Sequence, residues 1–127
     1  VSSQQIEAQG CTNFMAMCAD IFPDCGSTCG LSNISNGCPE KLRPLVNQTY
    51  FAMLKKHGLS TAIMDPFDTP LMNIARGKSP EVESIVGRVM DGEQMDLGSL
   101  SKEEADYVKT TQVLLGQKLY SDSWLDL

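Results

Sequence analysis

Two short runs, the first uncharged and the second apolar up to its closing Asp65, each follow a longer segment with helical periodicity and constrain the fold of this chain most strongly. They cover residues 27–34 and residues 61–65. The first lies between Gly26 and Gly37, and the second is closed by a proline after Asp65. Short apolar runs bounded by turn-forming residues are typical of buried strands. We therefore predict a strand at each run, with a loop as the alternative for the first.

The segments before these runs repeat apolar or small residues every three to four positions, which predicts amphipathic helices. The first helix covers residues 3–21 and ends before Pro23. The second begins at Pro44 and ends near His57, where Gly58 is a natural left-handed C-cap. The stripe of the first helix is Ile6, Gly10, Phe14, Met17, Cys18 and Ile21, and that of the second is Val46, Thr49, Tyr50, Met53, Leu54 and His57.

The order helix, strand, helix, strand predicts an α/β fold in which helices cover a parallel sheet. Beyond the second strand, residues 71–75 form a short helical start and residues 80–90 a longer helix that begins with a proline. A surface loop is expected over residues 91–100. Ser101 and Glu104 form a capping box that opens a last helix, which extends to Gly116.

The tail after this helix contains the single tryptophan, Trp124. We expect Trp124 to pack on a neighbouring element, with stacking on a ligand as the alternative.

Composition excludes several classes of partner. Ten Lys and Arg against sixteen Asp and Glu give a net charge of −6. The chain also has no run of basic residues that could bind along a phosphate backbone, so nucleic acid is not expected as a partner. No apolar stretch is long enough to cross a bilayer, so no membrane is expected either. The chain starts at Val1 rather than Met, which suggests a processed product or a piece of a longer protein.

The five cysteines all lie within residues 11–38. An odd, clustered set is a poor disulfide framework, so we expect reduced thiols in a cytoplasmic protein. The spacing of Cys25, Cys29 and Cys38 invites a metal site, but a second ligand pair is missing. Buried, inert thiols and no metal are therefore the prediction.

Ligands of parallel α/β folds bind where strands end, which selects residues 30–37 and 64–68. The first segment is uncharged and holds amides, hydroxyls and glycines, a set that suits a planar heterocycle or a phosphate. An ordinary turn explains the same composition equally well. Asp65 and Asp68 could act as an acid and base pair, but a turn and helix cap is favoured. His57 is interpreted as part of a helix C-cap.

Several strings resemble the C-terminal part of methyltetrahydrofolate:corrinoid methyltransferases, which are pterin-binding-domain enzymes. The resemblance covers about residues 20–76 and resumes over about residues 105–124. The strings are Cys29-Gly-Leu-Ser-Asn-Ile-Ser35, Cys38-Pro39, Arg43-Pro-Leu-Val-Asn47-Gln-Thr-Tyr50, Gly58-Leu59, Ala62-Ile-Met-Asp65, Val113-Leu-Leu-Gly-Gln-Lys-Leu-Tyr120 and Asp122-Ser123.

This resemblance implies the C-terminal portion of a TIM (β/α)8 barrel, of the dihydropteroate-synthase-like type. Strand seven would be Ser27–Asn33 and strand eight Thr61–Asp65. Because such a barrel typically needs about 250 residues, the 127 residues here would form its C-terminal part. Residues 77–104 would be an insertion near the last helix. The upstream half of the barrel, a corrinoid protein and a second copy in a homodimer are the implied partners.

The resemblance also implies a reaction, in which the N5 methyl group of 5-methyltetrahydrofolate moves to the Co(I) centre of a cobalamin or related corrinoid. Asn33 would be the catalytic residue that contacts N5. Ser32 and Ser35 would join it in binding folate, while Asn36 and Arg43 would face the corrinoid. The family has a Gln where Asn36 stands, which makes the side chain one methylene shorter.

Two other functions remain compatible with the residues. One is a different pterin-binding barrel such as dihydropteroate synthase, although residues 30–36 lack the basic side chain that its pyrophosphate substrate would require. The other is a non-catalytic α/β interaction module in which the same loop is only structural.

Overall fold

A computed structural model of the protein describes residues 5–125. Within this range, five α-helices and two parallel strands form an α/β fold, which confirms the predicted class at that level. The elements are α1 (Gln5–Ile21), β1 (Thr28–Gly30), α2 (Arg43–Lys56), β2 (Thr61–Ile63), α3 (Thr69–Ala75), α4 (Pro80–Met90) and α5 (Lys102–Leu114). Two 3₁₀ helices cover Leu31–Ser35 and Leu97–Ser99.

The two strands pair in parallel, so their carboxyl ends lie at the same edge of the sheet. Thr28 is opposite Thr61, and Gly30 is opposite Ile63. A pair of serines fixes this register at the amino-terminal ends of the two strands. The backbone N–H of Ser27 donates to Oγ of Ser60, the N–H of Ser60 donates to Oγ of Ser27, and both distances are 3.1 Å.

Helix α2 lies at the centre of the packing. Val46, Met53 and Leu54 on this helix are fully buried, and α4 and α5 both pack against it. Lys55 and Lys56 reach Glu83 and Asp91 across the α2–α4 contact, at 2.8 and 2.6 Å. Apolar burial therefore sets the arrangement, since ion pairs with this much exposure contribute little.

Strand β1 is shorter than predicted. The expected strand over residues 27–34 ends at Gly30, and Leu31–Ser35 forms the 3₁₀ helix instead. Leu31 and Ile34, three residues apart, are both buried, which a three-residue turn achieves and a strand does not. The same finding corrects the strand-seven bounds Ser27–Asn33. Strand β2 likewise stops at Ile63 rather than Asp65.

The prediction of buried strands is wrong for the chain as described. Thr28, Gly30 and Thr61 are exposed, and the side chain of Ile63 is 76% exposed. Periodicity and composition can indicate a strand that is suited to burial, but the strand is buried only where other elements pack against it. None of the described residues does so here.

Helix α1 packs on the face opposite to the predicted one. Its buried residues are Ala8, Thr12 and Met15, whereas four members of the predicted stripe are 56–80% exposed, namely Ile6, Phe14, Met17 and Ile21. The buried face is small, and Thr12 meets its own hydrogen-bonding need by donating to the carbonyl of Ala8 at 2.9 Å. Helix α1 therefore packs on α2 and α5 through this face and leaves the apolar stripe uncovered.

The capping predictions at Ser101, Asp68 and His57 are confirmed. Ser101 and Glu104 form the capping box of α5, and Asp68 caps α3 by accepting the N–H of Leu71 at 3.0 Å. His57 is the C-cap residue of α2. Gly58 follows with a φ of 86°, which a residue with a Cβ rarely adopts.

The tail packs against the helices, as expected from the sequence. Nε1 of Trp124 donates to Oγ1 of Thr110 at 3.2 Å, and the Trp124 ring contacts that of Tyr120 at a centroid distance of 5.0 Å. Residues 77–104, the predicted insertion, contain α4, whose apolar face packs on α2 and α5. The helical part of this stretch is therefore part of the core.

The cysteines are free, but the prediction that they are buried holds for one of them. Cys38 is buried, Cys18 and Cys29 are half-buried, and Cys11 and Cys25 are exposed. Clustering along the chain therefore did not indicate burial. Within residues 5–125, no group of three or more His, Cys, Asp and Glu side chains is placed to hold a metal ion.

Candidate functional site

The carboxyl edge of the sheet brings together the two segments that the sequence selected. A cavity of about 670 Å³ lies between them. Ser32 and Arg43 line it on the β1 side, and Asp65, Phe67 and Asp68 line it on the β2 side. Parallel pairing places both strand ends here, so the turn after β1 and the turn after β2 form opposite walls of one site.

Ser35 lies behind this cavity rather than in it. Its side chain is fully buried, and its Oγ donates to the carbonyl of Ser32 at 3.1 Å while accepting from Nε of Arg43 at 3.3 Å. Nη1 of Arg43 also donates to Oε1 of Glu40 at 3.2 Å. Ser35 therefore positions Ser32 and Arg43, and a folate contact by Ser35 itself would be indirect.

Asn33 faces a second cavity on the other side of the turn. This cavity measures about 290 Å³ and is also lined by Cys11, Cys29 and Tyr50. The amide lies close above the backbone of Gly30, where an added Cβ would be 3.3 Å from Nδ2 of Asn33. Glycine at position 30 thus leaves the amide room that a larger residue would reduce.

Most groups around Asn33 are neutral at physiological pH. Burial, and then the nearby Cys11, raise the pKa of the Cys29 thiol. Burial is also the main cause that raises the pKa of Tyr50, followed by a hydrogen bond with Cys11. The hydroxyl of Tyr50 donates to the carbonyl of Ala8 at 3.2 Å. Among the described residues that line this cavity, Glu7 is the one charged side chain.

Asn36 lines neither of these two cavities. It is exposed and follows the 3₁₀ helix, where its backbone N–H donates to the carbonyl of Asn33 at 3.3 Å. The structure therefore brings Ser32 and Arg43 together, places Asn33 across the turn and leaves Asn36 at the surface.

A buried hydrogen-bond chain supports the turn after β2. Nε2 of Gln48 donates to both carboxylate oxygens of Asp68, at 2.9 and 3.1 Å. Oε1 of Gln48 accepts from the hydroxyl of Tyr107 at 2.8 Å. Gln48 and Tyr107 are both buried, and burial is the main cause that raises the pKa of Tyr107. The hydroxyl therefore stays protonated and remains a donor.

Sequence reasoning missed Gln48 and Tyr107. They are 59 residues apart, and Gln48 lies 20 residues from Asp68, so no local spacing links the three. Asn47 was also not singled out as a site residue. It lines the larger cavity, and its Oδ1 is buried without a hydrogen-bond partner among residues 5–125.

A comparison with known proteins found one similarity. The chain is 42% identical over 53 residues to a methylcorrinoid:tetrahydrofolate methyltransferase of Eubacterium limosum. The aligned segment is 42% of this chain and 19% of the relative's length, so the chain matches only a small part of that protein. The similarity supports a relationship with this kind of methyltransferase.

Other comparisons add no relative. No protein-family model matches the chain, and no solved structure matches it significantly. Among the helices that the structure describes, none combines the length and the apolar character needed to cross a membrane.

Proposed function

We propose that the chain is the C-terminal part of a pterin-binding (β/α)8 barrel that transfers a methyl group between N5 of a folate and the cobalt of a corrinoid. The observation that carries the proposal is the position of Asn33. Its amide lies in a largely neutral cavity at the carboxyl edge of a parallel sheet, in a chain similar to an enzyme named for methylcorrinoid and tetrahydrofolate.

Asn33 suits the chemistry at N5. Written in the direction of the relative's name, N5 forms a bond to the methyl carbon while the cobalt–carbon bond breaks. The electron pair of that bond stays on cobalt, which goes from formal Co(III) to Co(I), and the N5 proton is released. In the reverse direction N5 regains a proton as Co(I) takes the methyl group. An amide can accept from a protonated N5 or donate to a neutral one, so Asn33 serves both directions.

The remaining site residues take supporting parts in this proposal. Ser32 lines the larger cavity rather than that of Asn33, so its folate contact stays a prediction of the resemblance, and Ser35 would hold Ser32 and Arg43 in place. Arg43 and the exposed Asn36 would face the corrinoid. The corrinoid would be carried by a partner protein, as the family resemblance implies.

Two uncovered surfaces support a larger barrel. Strand β1 pairs with β2 on one side only in the described chain. A helix that precedes a parallel strand normally returns from another strand of the same sheet by a right-handed crossover. A further strand paired to the free side of β1 would complete its hydrogen bonding. The helix that belongs to this strand would cover the exposed apolar face of α1. The homodimer implied by the family resemblance remains a prediction.

The proposal can be tested with the full-length protein under anaerobic conditions. Methylcobalamin and tetrahydrofolate are mixed with it, and 5-methyltetrahydrofolate is measured by mass spectrometry while Co(I) is followed by absorbance. The reverse reaction starts from 5-methyltetrahydrofolate and Co(I) cobalamin. We expect protein-dependent transfer in at least one direction. A folded protein, as judged by circular dichroism, that produces neither product would overturn the proposal.

A further inference from the structure

Phe67 is the large apolar side chain with the greatest exposure among residues 5–125, at 91%. It lies in the turn after β2, at the same edge of the sheet as Ser32 and Asn33, and it lines the larger cavity. A single exposed apolar residue is common on protein surfaces. The surroundings of Phe67 distinguish it from such a residue.

The turn holds Phe67 in this exposed position. Oδ1 of Asp65 accepts the backbone N–H of Phe67 at 2.9 Å, and Pro66 restricts the backbone just before it. On the other side, Asp68 caps α3. The ring therefore projects from a braced turn rather than from a loose loop.

The brace reaches into the core. Gln48 contacts both oxygens of Asp68 and is itself held by the hydroxyl of Tyr107 on α5. Each functional group of the buried Gln48 side chain is thus used to fix the turn that carries Phe67. Such a support is typical of a contact whose geometry is set before binding.

The charges at the cavity disfavour an anionic ligand surface. Its lining carries the carboxylates of Glu40, Asp65 and Asp68, while its cation, Arg43, is paired with Glu40. This balance disfavours a phosphate and favours N–H donors. A corrin ring offers an extended apolar surface fringed with carboxamide donors, which complements both an aromatic ring and a rim of carboxylates.

We propose that Phe67 packs against the corrin ring of the methyl carrier and sets its position at the carboxyl edge. The proposal rests on the proposed function, because that function brings a corrinoid to this edge. Phe67 is then a binding residue for the corrinoid and has no contact with the folate.

Phe67→Ala in the full-length protein tests this proposal, with Leu119→Ala as the matched control, because Leu119 is 88% exposed in the tail. The dissociation constant of free cob(II)alamin and the KM for tetrahydrofolate are measured. We expect Phe67→Ala to weaken cobalamin binding about tenfold, as for loss of one buried aromatic contact, without changing the KM. Phe67→Trp should restore binding, and Leu119→Ala should change neither value by more than about twofold.

The outcomes separate the two proposals. Equal cobalamin affinities for Phe67→Ala and Leu119→Ala, in a protein that still transfers methyl groups, would overturn the role of Phe67 and leave the function intact. If Phe67→Ala weakens binding only of a protein-bound corrinoid, Phe67 contacts the carrier polypeptide rather than the corrin ring, and the proposed role is overturned. Phe67-dependent cobalamin binding without methyl transfer would support the contact and contradict the function. A wild-type protein that neither binds cobalamin nor transfers methyl groups would overturn both.

Discussion

The turns after β1 and β2 end neighbouring strands at the same edge but are built differently. The turn after β1 is uncharged, and its reactive candidate, Asn33, lies exposed against a glycine with its amide open to the adjoining cavity. The turn after β2 carries two carboxylates and is held by a buried chain from Tyr107 through Gln48 to Asp68. Under the proposed function, the first turn would supply a polar group that adapts to N5 and the second a rigid wall.

Asn33→Ala is expected to have the largest effect. If Asn33 acts as one preorganised hydrogen-bonding group at N5, kcat should fall by about 10²–10³, or roughly 2.7–4 kcal/mol. Stopped-flow methyl transfer in the full-length protein measures this change. Asn13→Ala, on the exposed surface of α1, is the matched control. A loss of less than about threefold for Asn33→Ala would contradict the assignment.

Gln48→Leu tests the rigidity of the second turn. The change leaves the buried Tyr107 hydroxyl without its acceptor and removes a donor from Asp68, so the free energy of unfolding should fall by about 2 kcal/mol. Urea denaturation measures it. Gln112→Leu is the control, because Oε1 of Gln112 is buried without a partner among the described residues, and its removal should be neutral or slightly stabilising. Similar decreases in the free energy of unfolding for both variants would show that the Gln48 hydrogen bonds do not stabilise the turn specifically.

Gly30→Ala tests how much room the Asn33 amide needs. A methyl group at this position would lie 3.3 Å from Nδ2 of Asn33, and displacing the amide should lower kcat by about tenfold. Gly26→Ala is the control, since its Cβ would meet Ser60 only at an ordinary 3.7 Å. Unchanged kcat for Gly30→Ala would mean that Asn33 does not depend on this close approach.

Glu40→Gln should have the smallest effect. It removes the ion pair with Arg43, but the Glu40 side chain is 90% exposed, so the free energy of unfolding should change by less than about 0.5 kcal/mol. Thermal or urea unfolding is sufficient to measure this. A change above about 1 kcal/mol would show that the first turn, like the second, depends on a specific polar contact.

Features that depend on a few neighbouring residues could be predicted from the sequence. The capping box at Ser101, the cap at Asp68 and the C-cap before Gly58 all follow from local hydrogen bonding or backbone conformation. The meeting of the two turns also followed, because parallel strands end at one edge. These expectations needed no knowledge of distant contacts.

Features that depend on residues far apart in the chain could not be predicted from the sequence. The apolar stripe of α1 marks a surface suited to burial, but the described chain buries Ala8, Thr12 and Met15 instead. The uncharged run after Gly26 predicts one strand, whereas its second half forms a 3₁₀ helix that buries Leu31 and Ile34. Hydrophobicity indicates which residues favour burial, whereas packing partners decide which are buried.

The sequence by itself determined the α/β order of elements, the positions of most caps and the two segments at the carboxyl edge, because each rests on local spacing. Only the tertiary structure decided that Ser32 and Asn33 face different cavities, that Ser35 supports Arg43, and that Tyr107 and Gln48 brace the turn carrying Phe67. Those relations join side chains far apart in the chain, and their geometry exists only once the helices have packed.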